Sequence, residues 1–108
     1  MESIRLIRHI VFFSITDPAK LPFVREQLLR LGTIPGASNF EVNANLKVDG
    51  FDNSVDLVVY CEFETTAGLA AYKAHPTYAE ITAIVRPLRE LRFAADVQAN
   101  AAAISQAA

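Results

Sequence analysis

The stretch from Ile4 to Ile15, Ile-Arg-Leu-Ile-Arg-His-Ile-Val-Phe-Phe-Ser-Ile, restricts the fold more than any other part of this chain. Successive side chains of an extended strand point to opposite faces. Ile7, His9, Val11 and Phe13 therefore share one face, and Arg8, Ile10 and Phe12 share the other. A strand covered on one side alternates apolar with polar residues; this one is apolar on both, so it is central and covered twice. Val55 to Glu64 repeats the pattern, with Leu57, Val59, Cys61 and Phe63 facing inward and Val58 and Tyr60 on the reverse.

The segments between these strands follow from their punctuation. Thr16-Asp17-Pro18 stops the first strand, with Asp17 suited to capping and Pro18 to a first helical position. A turn to Lys20 then leads into a helix from about Leu21 to Leu31, carrying Val24, Leu28 and Leu31 at helical spacing. Ile34-Pro35-Gly36 reads as a turn. From Ala37 to Leu46, Phe40, Val42, Ala44 and Leu46 alternate with polar residues, which predicts a strand, and Asp49 to Ser54 predicts a polar turn. Thr65 or Thr66 caps a helix to Ala74, and Pro76 opens a second helical piece whose inward stripe is Ile81, Ile84, Val85 and Leu88. Arg92 to Val97 is a short last strand.

The order strand, helix, strand, strand, helix, strand is that of an α+β, ferredoxin-like βαββαβ domain, an antiparallel sheet with helices on one face. The domain is expected over residues 1–98, followed by an alanine-rich tail at 99–108. Such a sheet leaves its second face bare, and here that face carries Ile10, Phe12, Val58 and Tyr60. A second copy packed sheet to sheet would cover it, giving a homodimer of the dimeric α/β barrel type. Composition agrees: 52% of residues are hydrophobic, more than a small domain's single core absorbs.

Other classes are disfavoured. A formal charge of −2 gives no basic footprint for nucleic acid. Arg86 and Arg89, interleaved with Glu90, read as a solvated face. One cysteine, Cys61, permits no intrachain disulfide, and its apolar strand suggests an inert core thiol. Two histidines and no acidic cluster fail to make a metal site, and neither a glycine-rich phosphate loop nor a Gly-x-Ser-x-Gly elbow occurs. No cofactor is expected. The amino-terminal residues lack signal-peptide features, and no apolar run reaches the ~20 residues of a membrane span, so a cytoplasmic location without membrane partners is expected.

The chemistry-bearing residues cluster in Ala71 to Glu80, which brings Tyr72, His75 and Tyr78 together around Pro76. His9, on the helix-facing side of its strand, should be neutral because burial penalises the imidazolium. It is a base, or a core histidine satisfied by one partner. Tyr72 is a donor to a developing enolate, or a packing tyrosine with its hydroxyl at a cavity rim. His75 precedes a helix start and suits capping. Tyr78 is a second cavity hydroxyl or a core residue. Asp96 could orient a histidine or tyrosine, though an arginine is the commoner partner.

At this point the chain resembles the stress-responsive A/B barrel (Dabb) family. The likeness covers Ile4 to Val97 and rests on Ile4-Arg5 with His9-Ile10-Val11, Ile34-Pro35-Gly36, Val55 to Phe63, Tyr72-x-x-His75-Pro76-x-Tyr78, Arg86-Pro87-Leu88 and Ala95-Asp96. The resemblance implies a dimer with a cavity between sheet and helices in each protomer, and it implies little about activity. One plant branch, the olivetolic acid cyclase type, closes a linear polyketide by a cofactor-free aldol reaction. Its working pair is the tyrosine matching Tyr72 and a histidine where this chain has Tyr78. A phenol, with a reference pKa of ~10, is a poorer base than an imidazole near ~6.5.

Three functions follow. The first is a small-molecule binding protein holding an apolar or aromatic ligand in a pocket of His9, Val11, Phe13, Phe40, Val59, Cys61, Tyr72, His75 and Tyr78. The second is a cofactor-independent enzyme, cyclase-like or monooxygenase-like, with Tyr72 and His9 as catalytic residues. The third is a structural dimer whose core is filled by its own side chains. An open cavity of ~300 Å³ or more on which His9, Tyr72 and Tyr78 converge would exclude the third, and a cavity closed by Phe13, Phe40 and Phe63 would exclude the first two.

Overall fold

The computed structural model describes residues 6–100. Ile4 and Arg5 of the expected first strand, and residues 101–108 of the expected tail, lie outside the described residues. The elements are β1 (Ile7–Ile15), α1 (Leu21–Leu29), β2 (Ser38–Ala44), β3 (Leu57–Phe63), α2 (Thr66–Ala74), α3 (Pro76–Val85) and β4 (Arg89–Gln98), with 3₁₀ turns at Pro18–Lys20 and Arg30–Thr33. The sheet order is β2-β3-β1-β4, antiparallel throughout. This is the ferredoxin-like arrangement.

The punctuating residues act as their chemistry requires. Asp17 accepts a hydrogen bond from the Ala19 amide at 3.0 Å, and Thr65 accepts one from Gly68 at 3.0 Å. His75 ends α2 and caps α3: its backbone is extended, as a residue before proline should be, and its Nδ1 accepts from the Thr77 amide at 3.1 Å. Gly36 takes φ +97°, the left-handed conformation that the Ile34-Pro35-Gly36 turn demands.

Helices and sheet enclose one core. Val11, Phe13, Leu57, Val59, Cys61 and Phe63 supply its sheet side, while Val24, Leu28, Leu69, Ile81 and Val85 supply its helical side. Ile84 and Leu88, expected inward, are only half-buried.

Two strands differ from expectation. β2 ends at Ala44, with Lys47 at φ 57°, and Leu46 stands 83% exposed rather than inward. Asn39 at φ 50° and a register shift between Ser38 and Glu41 explain the weaker alternation. β4 runs from Arg89 to Gln98, longer at both ends than Arg92 to Val97. Its alternation is interrupted opposite Ser14 and Ile15, where the register shifts. Beyond β2, Leu46, Val48 and Phe51 stand out on the connection to β3, each more than four-fifths exposed.

Candidate functional site

The helix-facing side of β1 and β3 carries a set of polar groups inside the apolar core. His9 is 1% exposed and pairs with Asp96 across the β1–β4 ladder, Nδ1 to Oδ1 at 2.5 Å. A carboxylate only accepts, so the Nδ1 proton of His9 is donated to Asp96 and the neutral ring leaves Nε2 as an acceptor. Burial is the larger influence on the ring and lowers its pKa below 6.5, while the hydrogen bond and charge of Asp96 oppose it. Lys73 approaches the other oxygen of Asp96 at 3.9 Å. Asp96 thus joins a histidine and a lysine, and among the described residues no arginine takes the place that the commoner pairing suggested.

Tyr72, one turn before the helix break, is 1% exposed and lies among rings: 6.0 Å from His9, 5.0 Å from Phe63 and 5.4 Å from Tyr78, centroid to centroid. Its hydroxyl has no hydrogen-bond partner among the described residues. The Cys61 thiol lies within reach of it as a weak sulfur acceptor, but in a geometry short of an ordinary hydrogen bond. Burial raises the Tyr72 pKa well above the usual phenol range, so it is a neutral donor. Burial likewise pushes the Cys61 thiol up to about 11, which keeps it protonated and unreactive.

These groups border a cavity of about 30 Å³. His9, Val11, Phe13, Val59, Tyr72 and Tyr78 line it, from the nine pocket residues the sequence suggested. Phe40, Cys61 and His75 do not. Phe40 lies over Gly32, where an added Cβ would come within 2.8 Å of its ring. Cys61 sits behind the cavity wall in the core, and His75 is held by its capping bond. The volume is far below the expected ~300 Å³; it suits about one water molecule. A second depression of about 310 Å³ lies between the start of α2 and β4, lined by Ile7, Thr65, Leu69, Asp96 and Val97 among others.

Sequence reasoning missed one part of the wall. Arg86, Arg89 and Arg92 all line the cavity, and Arg92 donates to the Tyr78 hydroxyl at 3.1 Å. Arg86 and Arg89 are therefore not simply a solvated face. Their interleaving with Glu90 suggested a solvated face, and the bulge that turns Arg89 towards the cavity leaves no mark in the sequence.

On the reverse of the sheet, Ile10, Phe12, Val58 and Tyr60 are half-buried. β4 extends their patch with Phe93 and Val97, opposite Phe12 and Arg8 in register. Tyr60 donates to Glu62 at 2.5 Å, and burial together with that carboxylate pushes its pKa up to about 12.

Among the described residues no group of His, Cys, Asp and Glu is arranged to hold a metal, and no helix is long and apolar enough to cross a membrane. Fold and site together define a ferredoxin-like α+β domain with a polar cluster enclosed between sheet and helices. The chain belongs to the family described as the Stress responsive A/B Barrel Domain, which matches residues 7–99.

Solved structures agree on the fold. A dimeric ferredoxin-like protein of unknown function from Thermobifida fusca is 26% identical, with 92% of this chain and 95% of that one covered and a TM-score of 0.76. A Dabb family protein from Mesorhizobium loti is 24% identical over 86% of this chain and 95% of that one, at a TM-score of 0.66. The hydroxynitrile lyase of Passiflora edulis is 17% identical over 89% of this chain and 94% of its own, at 0.76. No curated protein matches.

Proposed function

We propose that this protein is a homodimer in which each protomer binds a small apolar or aromatic molecule between sheet and helices, against Tyr72 and His9. The observation that carries the pocket is the Tyr72 hydroxyl. A buried hydroxyl without a partner costs about 1–3 kcal/mol, and phenylalanine would fill the same space without that cost. The cavity of 30 Å³ has room for about one water, which could satisfy the hydroxyl, and a ligand acceptor atom would take that water's place. Entry of a larger molecule requires the cavity's outer side chains to move.

The dimer is supported by the bare apolar face, by an Arg8 Nε on it with no partner among the described residues, and by the dimeric Thermobifida relative. Leu46, Val48 and Phe51 on the connection to β3 are further exposed apolar side chains that an assembly could cover. A dimer of ordinary size would bury ~1,600 Å² in all.

A second reading rests on the His9–Asp96 pair. A neutral imidazole held in one tautomer beside a neutral phenol is the equipment for moving a proton next to a carbonyl, with His9 Nε2 as base and Tyr72 as donor to the oxyanion. The hydroxynitrile lyase illustrates that such a fold accommodates catalysis.

Tyr72→Phe tests the pocket. Native mass spectrometry of the wild type should show a co-purified small molecule that the variant loses, while the variant is as stable as ligand-stripped wild type or more so. A variant destabilised by more than ~1 kcal/mol relative to ligand-stripped wild type would mean that the hydroxyl serves the fold, and the ligand reading would fail.

A further inference from the structure

Arg86, Arg89 and Arg92 form a cationic rim at the solvent end of the cavity. Arg86 closes α3, Arg89 begins β4, and Arg92 follows three residues later. Residues three apart in a regular strand face opposite ways. Here Arg89 pairs with Ile15 while Leu91 pairs with Ser14, so Glu90 is the extra residue of a bulge. Arg92 pairs with Phe13, on the same side as Ile15. The bulge therefore turns Arg89 onto the helix-facing side beside Arg92, a re-aiming for which bulges are common near sites. The Ser14 hydroxyl fixes it by accepting from the Leu91 amide at 3.0 Å.

None of the three makes an ion pair with a carboxylate among the described residues. Collecting like charges without a counter-ion is unfavourable, and the strain is felt at Arg89, whose pKa falls through burial first and then repulsion by Arg92 and Arg86. The Tyr78 hydroxyl, accepting from Arg92, keeps its own proton to donate. Further in, the wall turns apolar with Val11, Phe13 and Val59 and ends at the unpartnered hydroxyl of Tyr72, buried to 1% exposure.

We propose that the ligand is a small amphipathic acid whose carboxylate is held by Arg86, Arg89 and Arg92 at the rim and whose apolar body reaches inward to Tyr72, the outer side chains moving apart to widen a cavity that now holds about 30 Å³. This rests on the ligand-binding reading above. Guanidinium forks match a carboxylate in two-point geometry. A bare oxyanion such as phosphate would satisfy the rim but leave the apolar wall unused.

The test titrates matched probes into the full chain: benzoate against benzamide, hexanoate against hexanamide, and inorganic phosphate, followed by NMR. The acids should shift resonances of Val11, Tyr72 and the arginines, and bind about tenfold tighter than their amides, as one charge-assisted contact allows. Arg89→Gln, or the more exposed Arg86→Gln if the first folds poorly, should weaken the acids at least fivefold and leave the amides unchanged. Acids and amides binding alike in the cavity would overturn the carboxylate assignment while the ligand reading stood; neutralisation of the rim by a second copy would give this result. Phosphate binding as tightly as benzoate would also overturn it. If no probe reaches the cavity and the purified protein carries no small molecule, both readings fall together.

Discussion

β1 and β3 present two faces built from the same strands and opposite in design. On the helix side every described β1 and β3 residue is buried, and polar groups are admitted only in fixed relations, His9 to Asp96 and Tyr72 beside His9. On the reverse, Ile10, Phe12, Val58 and Tyr60 are half-buried, while Phe93 and Val97 are 59% and 45% exposed. The helix side is covered within the chain, and the reverse is not. On the proposed reading one face holds the ligand and the other the second copy, and a single residue step along a strand changes which is touched.

The largest effect should come from placing a carboxylate at adjacent positions on the two sides. An unpaired buried carboxylate costs several kcal/mol. Phe12→Asp should leave the fold and destroy the dimer, giving half the wild-type mass or aggregate by light scattering at micromolar concentration. Val11→Asp, one residue earlier, should unfold the chain. A Phe12→Asp variant of unchanged dimeric mass, or a wild type that is monomeric, would break the contrast.

A smaller effect belongs within the helix side. Asp96→Ala removes the acceptor for His9 Nδ1 and should cost about 1–3 kcal/mol in a denaturant titration, towards the lower value because water reaches this position. The imidazole should also lose its single tautomer, visible in ¹⁵N shifts. Unchanged stability and tautomer would mean that the pair does not orient the ring.

How far the sequence reached depends on how local each determinant is. β1, β3 and the α2–α3 break were legible because two-sided apolar runs and a His-Pro step act within a few residues. Tyr72 and His9 were recognisable as buried polar groups for the same reason. The His9–Asp96 pair was only one option, since it joins residues 87 apart in sequence through the β1–β4 register. The arginine rim was not legible at all: a bulge changes no residue type, yet it reverses the side on which Arg89 stands. Leu46 failed differently, because alternation continues in the letters after the strand has stopped at Ala44.

The smallest effect concerns acidity, and its sign separates two forces on His9. Burial lowers its folded pKa below the 6.5 of the free group, whereas Asp96 raises it, and Lys73 and Arg92 add to the lowering. With the folded value lower, the unfolded chain binds more protons between the two pKa values. Stability should then be full above pH 6.5, decline as pH falls through that window, and level off below the folded pKa. Denaturant midpoints measured from pH 8 to 5 should show this decline in the wild type and lack its His9 component in His9→Gln. A wild type that gains stability from His9 on acidification would reverse the ranking, with the Asp96 charge outweighing burial. The ring would then be an imidazolium in the working range, and the helix side would offer a proton donor where a base is expected.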